Sequence, residues 1–156
     1  MCRKVQPLAV LDTGSGFSSY VLRLYQQALV PECEVYSVDH DQYWMGKTGK
    51  FLESHRLSTE NLVTWESFLK SSTPMFDLVF HDIDGMQNRL SMLKQVLTRV
   101  HSKSLVLLDD VHKSRYRQPL EIFLDDVGAT VYDLKQYTCD GYGRYQWLIT
   151  NASTAR

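Results

Sequence analysis

Leu8-Ala9-Val10-Leu11-Asp12-Thr13-Gly14-Ser15-Gly16-Phe17-Ser18-Ser19 reads as an apolar strand that runs into an acid and then into a Gly-x-Gly turn opening a helix. Glycines at such a turn let the backbone reverse tightly and approach a ligand, while the helix N-terminus presents N–H groups. A carboxylate at the strand tip, Asp12, repels a pyrophosphate and attracts an ammonium such as that of an amino acid. The dinucleotide fingerprint also requires a third glycine three residues after the second, where this chain has Ser19. Both features count against a nicotinamide dinucleotide. The alternative is an ordinary tight turn with Asp12 as a helix cap.

Working outward, runs of β-branched and apolar residues alternate with helix-period segments, the pattern of a parallel sheet covered on both faces. Strands are expected at Leu8–Asp12, Glu34–Asp39, Asn61–Trp65, Asp77–His81, Ser104–Asp109, Thr130–Gln136 and Gln146–Thr150. Helices are expected at Ser18–Leu29, Tyr43–His55, Glu66–Lys70, Asn88–Val100 and Pro119–Val127. In the first helix Val21, Leu24, Tyr25 and Ala28 recur at helical spacing and are expected to lie on the sheet. The last connection, Tyr137 to Tyr145, carries two glycines and is too short for a crossover helix, so the final two strands should form an antiparallel hairpin.

The chain has 156 residues, 44% hydrophobic and 22% charged, with a formal net charge of −1. That is globular composition sufficient for one domain, residues 1–156, with no basic field to favour nucleic acid. Its three cysteines, Cys2, Cys33 and Cys139, have no metal-ligand spacing and point to a reducing, cytoplasmic setting. No apolar run approaches the roughly 18 residues of a membrane span. The tail Asn151–Arg156 is small and polar and is expected to fray.

The Asp-x-Gly-x-Gly strand end resembles motif I of the class I S-adenosylmethionine (SAM)-dependent methyltransferases, and the resemblance runs from about Leu8 to Thr150. It implies an α/β, Rossmann-like, doubly wound and mostly parallel seven-stranded sheet, with the seventh strand antiparallel beside the sixth. It implies SAM as cofactor, Asp12 near its amino group, and Gly14 and Gly16 making room for the rest. Asp39, followed by His40, ends the second strand and matches the acid that accepts hydrogen bonds from the ribose diol. Trp65 and Glu66, at the third strand tip, fall in the adenine region. Asp39 is otherwise a helix-capping loop acid and Trp65 a core residue, while Asp41 suits the cap of the helix near Tyr43. About seven residues precede the first strand, where the family usually carries cover helices. The site face is therefore expected to be open, completed by a second copy or a partner subunit or matched to a large substrate.

The fourth and fifth strands end in His81-Asp82-Ile83-Asp84-Gly85 and Leu108-Asp109-Asp110-Val111-His112. Carboxylates converging there need a cation, protons or a basic substrate, and oxygen ligands suit Mg²⁺, Ca²⁺ or Mn²⁺. The arrangement resembles the metal-dependent catechol-type O-methyltransferases, which implies that Asp82, Asp109 and Asp110 hold a divalent metal that acidifies a substrate hydroxyl. The lysine that those enzymes use three residues beyond the first ligand falls on Gly85. His112 is then the base, with His81 behind it. If no metal binds, Asp82 orients an amine or acts as the base. The plainer reading makes Asp82 and Asp84 loop and cap residues, and Lys113, Arg115 and Arg117 a solvated face. The expectation is a methyltransferase acting on a hydroxyl or amine of a small molecule. A nicotinamide-dependent oxidoreductase and a SAM-binding subunit without chemistry of its own remain alternatives.

Overall fold

The computed structural model describes residues 2–83 and 85–152, without the side chains of Cys2, Arg3, Met86 and Gln87. Asp84 and the tail end 153–156 lie outside the described residues. The fold is α/β, a seven-stranded, mostly parallel sheet in the order β3-β2-β1-β4-β5-β7-β6. The chain divides into two compact units, 1–74 and 75–156.

The first unit contains α1 (Cys2–Val5), β1 (Ala9–Thr13), α2 (Phe17–Leu29), β2 (Glu34–Asp39), α3 (Gln42–Ser54), β3 (Leu62–Thr64) and α4 (Trp65–Lys70). All five residues of β1 are buried, as an apolar run in a two-sided parallel sheet should be. β1 and β2 pair in parallel from Ala9 opposite Glu34 to Thr13 opposite Val38, which brings the tip of β1 level with the end of β2. Asp41 starts α3 by accepting from the amides of Tyr43 and Trp44, and Thr64 caps α4 through Ser67 N.

The buried face of α2 departs from the expected stripe. Its buried residues are Ser19, Leu22, Arg23 and Tyr25, whereas Val21, Leu24 and Ala28 are exposed. Arg23 is drawn inward by four acceptors: Ser37 Oγ at 2.6 Å, Ser58 O at 2.7 Å, Glu60 O at 3.0 Å and Ser19 O at 3.4 Å. A guanidinium that satisfies its fork on buried oxygens fixes the rotation of this helix, and a hydrophobic count gives it no weight.

The second unit contains β4 (Phe76–His81), α5 (Met86–Leu97), β5 (Val100–Leu108), α6 (Ser114–Asp126), β6 (Thr130–Asp133), α7 (Lys135–Thr138) and β7 (Trp147–Thr150). β4 and β5 are parallel, and β7 is antiparallel to both β5 and β6, the expected C-terminal pair. Most boundaries shift by a residue or two, and three places differ by more. Val100 opens β5 instead of closing a helix, because the register shifts between Phe76 and Leu78 and Ser104 Oγ hydrogen-bonds Phe76 O at 2.7 Å across the irregularity. Pro119 lies inside α6, which begins at Ser114, so it is not the helix start. β6 stops at Asp133, whose carboxylate accepts from Lys135 N at 2.7 Å and turns the chain into α7.

Candidate functional site

In the first unit the chain leaves β1 through Gly14, whose φ of +96° requires glycine, and the Gly14 amide donates to Val38 O at 2.9 Å. Gly16 is different. Its φ of 163° is extended, and a Cβ there would meet only Trp44 Nε1, at 3.6 Å. Gly14 makes the turn, and Gly16 keeps space.

Ser15 is the hub of this loop. Its amide and hydroxyl both donate to Asp39 Oδ2, at 2.8 and 2.9 Å, and its carbonyl accepts the Trp44 indole N–H. Asp39, 5% exposed, takes the Asp41 amide on Oδ1 at 3.0 Å, and exposed His40 lies 3.4 Å from the same oxygen. Asp39 thus fastens the glycine loop to β2. Asp12 is fully buried, and its Oδ2 accepts from Ser19 Oγ at 2.5 Å and Ser37 Oγ at 3.3 Å. Ser19 Oγ in turn accepts the Gly16 amide at 3.1 Å. Ser19, noted in the sequence only as the lost third glycine, therefore occupies the helix N-terminal donor. Asp12 Oδ1 is buried with no hydrogen-bond partner among the described residues. Burial raises the Asp12 carboxyl from its ordinary 3.8 to about 6, against the hydrogen bonds of its serine neighbours and the charge of Arg23. Trp65 is half-buried with its ring 5.7 Å from that of Phe68, and Glu66 is exposed in the first turn of α4.

In the second unit the acids at the tips of β4 and β5 meet a guanidinium. Arg89, on α5 and 3% exposed in its side chain, donates to Asp82 Oδ1 at 3.2 Å and Asp110 Oδ2 at 3.1 Å. It also donates to Ile83 O at 2.7 Å and Asp109 O at 3.3 Å. Lys113 Nζ adds a second cation 2.5 Å from Asp110 Oδ2. Among the described residues no group of three His, Cys, Asp or Glu side chains is placed to hold a metal ion, so the metal expected at Asp82, Asp109 and Asp110 is not shown. The carboxylates do require a cation, and the chain's own Arg89 meets that requirement. Arg89 was legible as a basic residue seven positions after Asp82 on the following helix. Gly85 caps that helix at φ +88°, a conformation that disfavours the lysine of catechol-type enzymes at this position.

His81 is corrected as a base. It is buried, its Nε2 lies 3.0 Å from Arg89 O, and burial lowers it from 6.5 to about 4, which leaves a neutral ring that donates to that carbonyl. His112 is partly exposed, with Nδ1 3.8 Å from Asp110 Oδ1. Asp82 is more than half exposed.

No protein-family model matches the chain, and no curated protein matches it. Solved structures do. The O-methyltransferase TomG from Streptomyces achromogenes, in complex with SAM, superposes with a TM-score of 0.67 at 16% identity over 97% of this chain and 76% of its own. An O-methyltransferase from Bacillus cereus in complex with SAH gives 0.68 at 15% identity over 95% and 75%. The precorrin-6y C5,15-methyltransferase from Geobacter metallireducens GS-15 gives 0.64 at 18% identity over 95% and 83%. The fold is that of the Rossmann-like methyltransferases. At such identities the likeness concerns this methyltransferase fold and not the acceptor. Among the described residues no helix is long and apolar enough to cross a membrane.

Proposed function

We propose that the chain is a SAM-dependent methyltransferase whose acceptor is a hydroxyl or amine of a small molecule. The observation that carries this reading is the strand-tip arrangement of the first unit, where the left-handed turn at Gly14 is fastened through Ser15 to the carboxylate of Asp39.

The residues present fit the cofactor. Asp39 spends three hydrogen bonds on Ser15 and Asp41, which leaves about one of its roughly four lone-pair directions for a ribose hydroxyl. Asp12 Oδ1 is an unsatisfied buried acceptor directly behind the loop. Ser19 has already taken the Gly16 amide, so this donor set suits an amino-acid nucleoside better than a pyrophosphate, which counts against the nicotinamide reading. Gly14, Gly16, Asp39, His40, Trp65 and Glu66 would hold the cofactor. Asp12 acts at one remove, ordering the loop through Ser19.

When bound, SAM supplies an electrophilic methyl group. The chain's contribution is alignment of the acceptor and removal of its proton. Exposed Asp82, oriented by Arg89, and His112, beside Asp110, are the groups assigned to that proton. Because Arg89 bridges Asp82 and Asp110, no divalent metal is assigned. Three cysteines without metal-ligand spacing suit a reducing, cytoplasmic setting.

Calorimetric titration with SAM, S-adenosylhomocysteine and NADH tests the reading. Micromolar binding of the first two, unchanged by EDTA, is expected. NADH binding without SAM binding overturns it, as does failure of all three to bind.

A further inference from the structure

Beside the glycine loop, within the first unit, lies a cavity of about 310 Å³ lined by Gly16, Phe17, Trp44, Lys47, Thr48 and Phe51. Three of its six lining residues are aromatic, and Phe17, Trp44 and Phe51 are exposed at 76%, 47% and 46%. Large rings left in water are costly unless something covers them. The walls are also braced from behind. Trp44 is fixed by its indole N–H on Ser15 O, and Phe51 packs edge-on against Tyr20 with ring centroids 5.3 Å apart. Gly16 supplies a wall without a side chain, so the cavity reaches the loop backbone.

Lys47 is the one charged lining residue. Its ammonium lies 4.4 Å from the Tyr43 ring centroid and 5.5 Å from that of Trp44, held over π-faces at the rim. Among the described residues no carboxylate forms an ion pair with it. A rigid aromatic cleft of drug-pocket size with a single cation at its rim complements a flat ring bearing one negative charge.

We propose that this cavity binds a planar aromatic anion, with the ring against Phe17, Trp44 and Phe51 and the acidic group on Lys47. The inference does not depend on the methyltransferase reading.

The probe is 2-naphthoate, compared by calorimetry with neutral 2-naphthylmethanol and cationic 2-naphthylmethylammonium, on the full chain. The anion is expected to bind about fivefold tighter than the neutral probe, and the cation more weakly than either. Binding should shift the Trp44 indole N–H resonance. Lys47→Gln, at an exposed position, should erase the preference for the anion and retain the neutral probe, and Phe17→Ser should weaken both. Equal affinity for anion and neutral probe, an unchanged preference in Lys47→Gln, or no binding overturns the proposal. Displacement of naphthoate by S-adenosylhomocysteine also overturns it, because the cavity would then belong to the cofactor.

Discussion

Asp12 and Asp110 both sit where a strand ends, yet the two units stabilise them by different means. Asp12 is held by the hydroxyls of Ser19 and Ser37, and Arg23, hydrogen-bonded to Ser37 Oγ, acts on it through its charge without an ion-pair contact. Asp110 is held directly by the guanidinium of Arg89 and the ammonium of Lys113. Neutral donors leave a buried acid with much of its desolvation cost, and Asp12 rises to about 6. Full charges fix geometry instead, and they turn the acid pair of the second unit into a bridge. An acid at a strand tip therefore says little about its role until the group that offsets it is known.

The largest expected effect tests the charged half of this contrast. Arg89→Met removes the bridge and leaves Asp110 beside Lys113 alone, which should cost about 3–5 kcal/mol of stability. A urea midpoint indistinguishable from wild type would show that the guanidinium contributes geometry without energy.

Next comes pH. Between its ordinary 3.8 and about 6, Asp12 is protonated in the native state and ionised in the unfolded one, so its contribution falls as pH rises through that window. His81 runs the other way. Lowered from 6.5 to about 4, it stays neutral in the native state while the unfolded chain takes a proton, so stability is lost as pH falls from 6.5. Each amounts to about 3 kcal/mol, and together they nearly cancel. Asp12→Asn should expose a stability that climbs from pH 4 to 6.5, and His81→Gln one that declines from pH 4 to 6. Identical slopes in the two variants would refute the opposition.

The third test separates binding from chemistry. Asp39→Ala should weaken SAM by about 1–3 kcal/mol, while Asp82→Ala leaves SAM affinity in place and lowers turnover. Equal losses of affinity in both variants would remove the division of labour. Smallest is Trp44→Phe, which deletes the hydrogen bond to Ser15 O and should cost about 1 kcal/mol of stability, measured by thermal melting.

Most of the fold was legible because period and length carry it. The strand Glu34–Asp39 falls on its expected boundaries, and the antiparallel final pair follows from a connection too short to cross over. Two of the departures share one physical origin. Arg23 and Arg89 have no weight in a hydrophobic pattern, yet both are buried because oxygen atoms distant in sequence converge on them. One rotates the expected face of α2, and the other meets the carboxylates Asp82 and Asp110. The glycine loop was legible in its residues but not in its division of labour, since only backbone angles show that Gly14 turns and Gly16 makes room. Val100 was misplaced because a strand irregularity at Ser104 leaves no mark in an apolar pattern.

The lengths of the strands carry one more consequence. β5, with nine residues, lies inside the sheet order, while the outermost strands β3 and β6 have three and four. A free edge invites another chain to extend its ladder, and an edge this short offers only about two outward hydrogen-bonded pairs. The longest strand is already paired on both sides, and the ends leave a second chain little ladder to extend.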